Sequence, residues 1–498
     1  MLELKKPNKE IYMYPLEEFK KSLQRDDIVD WIRSGLIGDG IEIEGPFGPR
    51  EMIYADYVAS GRALDQVENF VRQKVLPYYA NSHTKASYCG AYITEMREAA
   101  RLEIARMTAA HSGTSVVFTG SGSTAGINRI VGLLDIRRIL SKGGQALILV
   151  GPYEHHSNLL PWRESGAEII EINEGNQGGP CLKTLEKVLE KSLATDIVVG
   201  AFSAASNVTG IITDVNAVTR LLKSKGALAI WDYGCGAPYL PMDMNVGSSA
   251  AIDALVFSPH KFPGGPAASG IMILRDEIVS LKQPTLPGGG TVNFVSPWGH
   301  TYSNCVSARE EGGTPNVIGD IRVALVMLVK EALGQEWLIE RQQELRAKAL
   351  EIWSRNESLE IFGAEIANAL PILSFRIRDG KGAYIHHQLF TRLLSDVEGI
   401  QARGGCACAG PYAHRLLGLE QESSVELERL INTGQELEKP GWVRLNFSAL
   451  MTDEKVAKLI NGVGKLANSA AEYQSYYYAD PRNAQFLPND ANGKGSIS

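Results

Sequence analysis

The chain has 498 residues, 44% hydrophobic and 21% charged, with a net charge of −7 at pH 7, enough apolar material for two or more domains around a large buried core. No Lys/Arg-rich run or basic and aromatic stripe marks a nucleic-acid surface, and no uninterrupted apolar segment approaches the roughly 20 residues that cross a bilayer. Met1-Leu-Glu-Leu-Lys-Lys-Pro-Asn8 lacks a signal-peptide core, so a cytoplasmic location is expected, and six scattered cysteines make free thiols the expected state.

Residues 1–50 are charged and mixed, and read as an N-terminal arm, with a short helix predicted within Leu16 to Gly35, that packs on the body or on a partner subunit. From Glu51 short β-rich runs recur between helical segments: Val116–Thr119, Ala146–Val150, Glu168–Ile172, Asp196–Phe202, Ala227–Trp231 and Ala254–Phe257. This alternation predicts an α/β fold with a large, mostly parallel sheet covered by helices on both faces, and ligands in such folds sit beyond the carboxyl ends of the strands. Asp214 to Lys225, closed by Gly226, is a predicted helix between two of those strands. A long helical segment is predicted from Ile321 to Arg355, leading to a smaller C-terminal α/β domain. The expected division is an arm over 1–50, a large domain over 51–325, a small domain over 326–470 and a tail over 471–498. From about Ala479 the tail is polar and rich in Gly, Asn and Ser, and disorder is expected there.

Candidate functional residues fall at the predicted strand ends. After Val116–Thr119 comes Gly120-Ser-Gly122-Ser123-Thr124-Ala-Gly126, followed at once by a helix with apolar Ile127, Ile130 and Val131. A helix N-terminus offers free amides and a favourable field for a dianion, and Ser123 and Thr124 add hydroxyls, which together make a phosphate cup; a plain Ser/Thr cap is the alternative. The spacing fits neither the P-loop nor the dinucleotide fingerprint. His155 follows Ala146–Val150 and could stack on a ring or handle protons, and Asn207 follows the Asp196 strand, where it could donate to a ring hydroxyl or simply shape a turn. Asp232 closes Ala227–Trp231, where a carboxylate can pair with a protonated pyridine nitrogen; a turn aspartate is the plainer reading.

Lys261 stands in Ser258-Pro-His260-Lys261-Phe-Pro-Gly264, at the end of a buried strand beside hydroxyl and imidazole donors. There an amine can lose its proton and form a Schiff base, so Lys261 reads as a pyridoxal phosphate (PLP) lysine, against the alternative of a solvated lysine after a strand. Further on, Arg403-Gly-Gly-Cys406-Ala-Cys408-Ala-Gly410 sets two cysteines on a glycine-flanked loop. A flexible thiol there could reach a bound substrate; two inert packing residues are the alternative, and no further Cys/His pair with zinc spacing supports a metal site.

Taken in order, Gly122-Ser-Thr-Ala-Gly-Ile-Asn128, Glu154-His-His-Ser-Asn158, Ser206-Asn-Val-Thr-Gly210, Asp232, Ser258-Pro-His-Lys261 and Glu311-Gly-Gly-Thr-Pro-Asn316 resemble the class V aminotransferase family of fold-type I PLP enzymes, whose best-known branch is the cysteine desulfurases and selenocysteine lyases. The match runs over about residues 50 to 465. The resemblance implies Lys261 as the Schiff-base lysine, Asp232 as partner of the pyridine nitrogen, and His155 as the stacking residue. Ser123, Thr124, Ser258 and His260 would hold the phosphate, and Asn207 the ring oxygen or nearby substrate. Thr314 matches a residue that reaches the phosphate of the partner subunit, which implies a homodimer with shared active sites. Where many desulfurases carry Gln three residues after the aspartate, this chain has Cys235, a weaker donor.

Arg444, in Gly441-Trp-Val-Arg-Leu-Asn446, matches the arginine that forks the substrate α-carboxylate, a task suited to a planar guanidinium. Aligned on Arg403, Cys408 falls where the desulfurase nucleophile lies in one group, and Cys406 is a second candidate; the Arg-x-Gly-Cys-x-Cys run also resembles the sulfurase domain of molybdenum-cofactor sulfurases. The expected reaction is desulfuration of L-cysteine to L-alanine and an enzyme persulfide, with a sulfur-acceptor protein as a further partner. The alternatives are another class V PLP reaction without the cysteines (transamination, C–S β-elimination or epimerisation) and a non-catalytic protein that kept the fold.

Overall fold

The computed structural model describes residues 10–82 and 84–489. Its central sheet has seven strands: β1 (Thr114–Gly120), β2 (Ala146–Val150), β3 (Glu168–Glu171), β4 (Ile197–Ser203), β5 (Leu228–Asp232), β6 (Ala254–Phe257) and β7 (Gly270–Arg275), in the order β1-β7-β6-β5-β4-β2-β3. Every pairing is parallel except those of β7, which runs antiparallel to both neighbours. The sheet is therefore mostly parallel, as the alternation predicts.

Strands buried on both faces need apolar side chains at every position, which is why β2 and β6 read as continuous aliphatic runs. Successive residues point to opposite faces. Leu147 and Leu149 join Phe202, Trp231 and Leu255 in one core, under α3 (Tyr88–Met107) and α6 (Val317–Leu333), while Ile148 and Val150 join Val199, Ile230 and Val256 under α4 (Gly122–Leu133). No helix among the described residues is long and apolar enough to cross a membrane.

A second sheet builds the smaller domain from β8 (Leu359–Ile361), β9 (Ile372–Arg378), β10 (Arg403–Gly405) and β11 (Trp442–Asn446), all antiparallel, in the order β8-β9-β11-β10. Its core gathers Trp353, Phe375, Phe390 and Phe447 beneath α7 (Gln335–Trp353), α8 (His387–Glu398) and α10 (Asp453–Ser469). Ile53, Ala55 and Tyr57 belong to this same core, and Ile53–Tyr54 pairs in parallel with Ile400–Gln401. The chain thus enters the small domain before it builds the large one, so residues 53–57 depart from a large domain beginning at 51. A two-residue strand paired across such a sequence distance leaves no periodic signal.

Three local expectations are modified. Leu16 to Gly35 holds two helices, α1 (Glu10–Ser22) and α2 (Ile28–Ser34), and Leu16, Phe19 and Leu23 are buried in the large-domain core, so the arm packs on its own body. The segment from Ile321 is two helices rather than one, because Gly334 takes φ +84 between α6 and α7, a backbone that glycine adopts freely. Residues Tyr477–Asp480 and Gln485–Pro488 form an antiparallel hairpin where disorder was expected from Ala479. Tyr477 Oη donates to Asp396 Oδ2 at 2.7 Å and the Phe486 ring lies 5.1 Å from His386, so two aromatic anchors outweigh the polar composition. Residues 490–498 lie outside the described residues.

Candidate active site

Beyond the carboxyl ends of β4, β5 and β6 lies a cavity of about 300 Å³, also lined by Arg403, Ala407, Cys408 and Arg444 of the second sheet and its loop. The N-terminus of α4 forms one wall. Gly122 opens that helix at φ +58, and a Cβ there would sit 2.8 Å from Ser258 Oγ and 3.2 Å from His260 Cε1, so the cup requires glycine. The Ser123 amide donates to Ser258 Oγ at 3.0 Å and the two hydroxyls lie 3.1 Å apart. Thr124 Oγ1 meets Ser157 Oγ at 2.7 Å, and the Ser157 amide donates to His155 Nδ1 at 3.1 Å. This chain from helix to hydroxyl to imidazole sets the orientation of the His155 ring.

Burial, reinforced by Lys261, pushes both His155 and His260 down to about 4, so both rings are neutral at physiological pH. Burial also lowers Lys261, against the opposing pull of the Asp232 carboxylate, which favours the free amine a nucleophile needs. Asp232 is buried at the end of β5 and accepts from the Gly234 amide at 2.7 Å. Among the described residues no cation lies within ion-pair distance of it, and burial raises its carboxyl against the Gly234 amide and Lys261. The Cys235 thiol, pushed up to about 11 by burial, stays protonated and directs its weak hydrogen bond to Ser206 O at 3.7 Å. Behind His155, Glu154 is buried and accepts from the Gly151 and Ser203 amides, the Ser203 hydroxyl and Asn158 Nδ2; burial pushes it up to about 7.

The small domain supplies the other wall. Arg444 is 4% exposed on β11; its Nη1 donates to Asn207 O at 3.0 Å and its Nη2 meets Asp56 Oδ1 at 3.2 Å. Arg403 sits directly opposite on β10, and its Nε donates to Asp56 Oδ2 at 3.0 Å. Two like charges facing each other across a ladder repel, and the Asp56 carboxylate between them offsets that repulsion. Neither Asp56 nor the cavity position of Arg403 follows from the sequence. The signal was a lone carboxylate between Ala55 and Tyr57 in an otherwise apolar run, and its meaning depends on β10 and β11 lying side by side.

Cys408 lines the cavity and is exposed to it, whereas Cys406 is partly buried against an apolar cluster containing Phe362, Tyr412 and Trp442 and does not reach the cavity. Ala407 and Cys408 both adopt left-handed backbone, φ 55 and 54. Such a conformation costs a non-glycine residue on the order of 1 kcal/mol, so hydrogen bonds must hold it. Asn207 Nδ2 donates to Ala407 O at 2.8 Å, leaving Asn207 Oδ1 buried without a partner among the described residues. Arg444 Nε is likewise buried and has no partner among the described residues.

Lys261, His155, Ser123, Thr124, Asn207, Asp232, Ser258, His260, Cys408 and Arg444 therefore converge on one cavity. Thr314 does not line it. That residue is exposed on the loop following Glu311, a buried carboxylate that Arg97 and Arg101 hold at 2.6 and 2.7 Å and that accepts from the Phe118 amide at 2.8 Å. Val58 and Ala59 also line the cavity.

The profile of the aminotransferase class V family matches residues 53–459, and the chain belongs to that family of PLP-dependent enzymes. Among curated relatives it is similar to a probable cysteine desulfurase of Halalkalibacterium halodurans, 27% identical over 369 residues that make up 72% of this chain and 84% of that one. A probable cysteine desulfurase of Pyrococcus abyssi is 26% identical over 371 residues, covering 74% and 87%. The fold is that of the cysteine desulfurase from Thermococcus onnurineus, at a TM-score of 0.70 and 23% identity over 84% of this chain and 95% of that one, and of CsdA from Escherichia coli, at 0.64 and 24% over 83% and 94%.

Proposed function

We propose that the cavity holds PLP and that the enzyme removes sulfur from L-cysteine, leaving L-alanine and a persulfide on Cys408. The observation that carries this reading is that Cys408, Lys261 and Arg444 open onto one cavity. The lining suits PLP: a glycine-opened cup at Gly122 to Thr124 with Ser258 and His260 for the phosphate, a buried carboxylate at Asp232 with no ion-pair partner among the described residues for the ring nitrogen, and Asn207, whose Oδ1 can accept from a ring hydroxyl. His155, neutral and held by Ser157, would cover the ring, and Lys261 would be the anchoring amine.

When bound, PLP supplies the electron sink that loosens bonds at the substrate carbons. Arg444, which lines the cavity, binds and orients the substrate carboxylate, and Asp56 keeps the guanidinium in place. Cys408, as thiolate, attacks the substrate sulfur: an S–S bond forms, the C–S bond breaks, and its electron pair passes to the carbon, which takes a proton. Lys261, with its amine brought down by burial, can hold and deliver that proton. The persulfide then passes its outer sulfur to an acceptor thiol, restoring Cys408. The test is product identity: cysteine with a thiol reductant is expected to yield alanine and sulfide. Pyruvate and ammonia in their place would indicate elimination and overturn the reading.

A homodimer with shared sites is part of the proposal. Thr314 is exposed on a loop fastened by Glu311, and the hairpin Val292–Ser296/Gly299–Tyr302 presents Trp298 at 93% exposure with Phe294 and Val295 at 62% each. Apolar side chains so exposed suit burial against a second copy. Sedimentation of the cofactor-loaded protein is expected to give twice the chain mass of 54.2 kDa, and a species of one chain mass at micromolar concentration would refute it.

A further inference from the structure

His156 touches the cysteine loop at Cys408 and again two residues further on. Its backbone amide donates to Cys408 O at 2.8 Å, and its ring Nε2 accepts from the Gly410 amide at 3.0 Å. Gly410 opens α9 (Gly410–Leu417), so this amide is one of the helix donors without an intrahelical partner, and the imidazole caps it from outside. The approach is close: a Cβ at Gly410 would lie 3.1 Å from Nε2. Because an amide N–H can only donate, the His156 ring must be neutral at Nε2 with its proton on Nδ1. Burial, with Arg163 and Lys439 nearby, lowers the pKa of the ring, in the direction that this tautomer requires. Ala407 and Cys408, at and just before the first of these contacts, hold left-handed backbone that favours relaxation into ordinary conformers. Asn207, which bonds Ala407 O, secures only the residue before.

We propose that His156 is the positioning residue for Cys408: its amide holds the Cys408 carbonyl and its imidazole holds the Gly410 amide, so that the thiol stays aimed into the cavity. His155, next to it, faces the cavity, so one dipeptide serves both walls, with the first ring for the cofactor and the second for the loop. The proposal rests on Cys408 as the sulfur acceptor, and its test separates the two. Removing the imidazole frees the Gly410 amide and lets residues 407 and 408 relax, while the phosphate cup, Lys261 and Arg444 keep their partners.

The test compares His156→Ala with His156→Gln, whose side-chain oxygen can still accept from the Gly410 amide, in cofactor-loaded enzyme. Hydrogen exchange of the peptide spanning 404–413 is expected to speed up about 10-fold or more in the alanine variant and to stay near the parent rate in the glutamine variant. Alanine formation from cysteine is expected to fall about 10-fold in kcat with KM and cofactor absorbance unchanged, and to recover with glutamine. Unchanged exchange in His156→Ala, or equal loss in both variants, overturns the clamp. Faster exchange with unaltered kcat overturns its positioning role. If Cys408→Ala itself forms alanine at the parent rate, the sulfur-acceptor reading fails, and the exchange comparison still decides whether His156 holds the loop.

Discussion

Lys261→Ala is expected to abolish turnover, by about 10³-fold or more, since the substitution removes both the anchoring amine and the group that delivers protons at the substrate carbon. The amine is suited to both tasks by its setting. It lines the cavity between Asp232 and Cys235, and burial favours its uncharged form, so it can act as a nucleophile first and a proton carrier afterwards. A structural collapse is not expected, because the side chain makes no hydrogen bond among the described residues and its backbone amide, which bonds Ser258 O at 3.1 Å, is unaffected. Borohydride treatment of cofactor-loaded parent enzyme should fix the cofactor to the peptide containing residue 261, and mass spectrometry should find no such adduct in the variant. Turnover within about 10-fold of the parent, with PLP fixed at another lysine, would sink the assignment.

Cys408→Ala is expected to reduce alanine formation from cysteine by about 10²-fold or more, because no other thiol enters the cavity in a position to take the sulfur. Cys235 is also in the cavity wall, but its thiol is pushed up to about 11 and bonded to Ser206 O, which leaves almost none of it as thiolate. Cys406 packs toward Tyr412 and Trp442, so Cys406→Ala is expected to change the rate by less than about 3-fold. The two variants are measured side by side, with alanine and persulfide sulfur both quantified. Turnover retained in both would exclude persulfide chemistry and leave transamination or elimination on the same Lys261 and Arg444.

Much of the cofactor site was legible in a single sequence. Glycine and hydroxyl spacing made the phosphate cup legible because a helix N-terminus is a local structure, specified by residues within one turn. The runs ending at Asp232 and Ser258 were legible because strands buried on both faces are continuous apolar segments, and the residues just past their carboxyl ends lie at the ligand-binding edge of the sheet. Lys261 could be singled out from its own neighbours, and so could the glycine-flanked pair of cysteines.

The sequence left open which cysteine faces the cavity, and it carried no sign that Asp56 holds Arg403 and Arg444 together. Both answers come from pairings distant in the chain. Asp56 enters the site because Ile53–Tyr54 pairs with Ile400–Gln401, and Arg403 meets Arg444 because β10 and β11 are register partners. Cys408 points inward because two left-handed residues are held by Asn207 and His156, which belong to the other domain. Local conformational preference determined the elements and the cofactor cup by itself. The orientation of the Cys408 thiol, a strained arrangement no short segment would adopt alone, was decided only by tertiary contacts from Asn207 and His156.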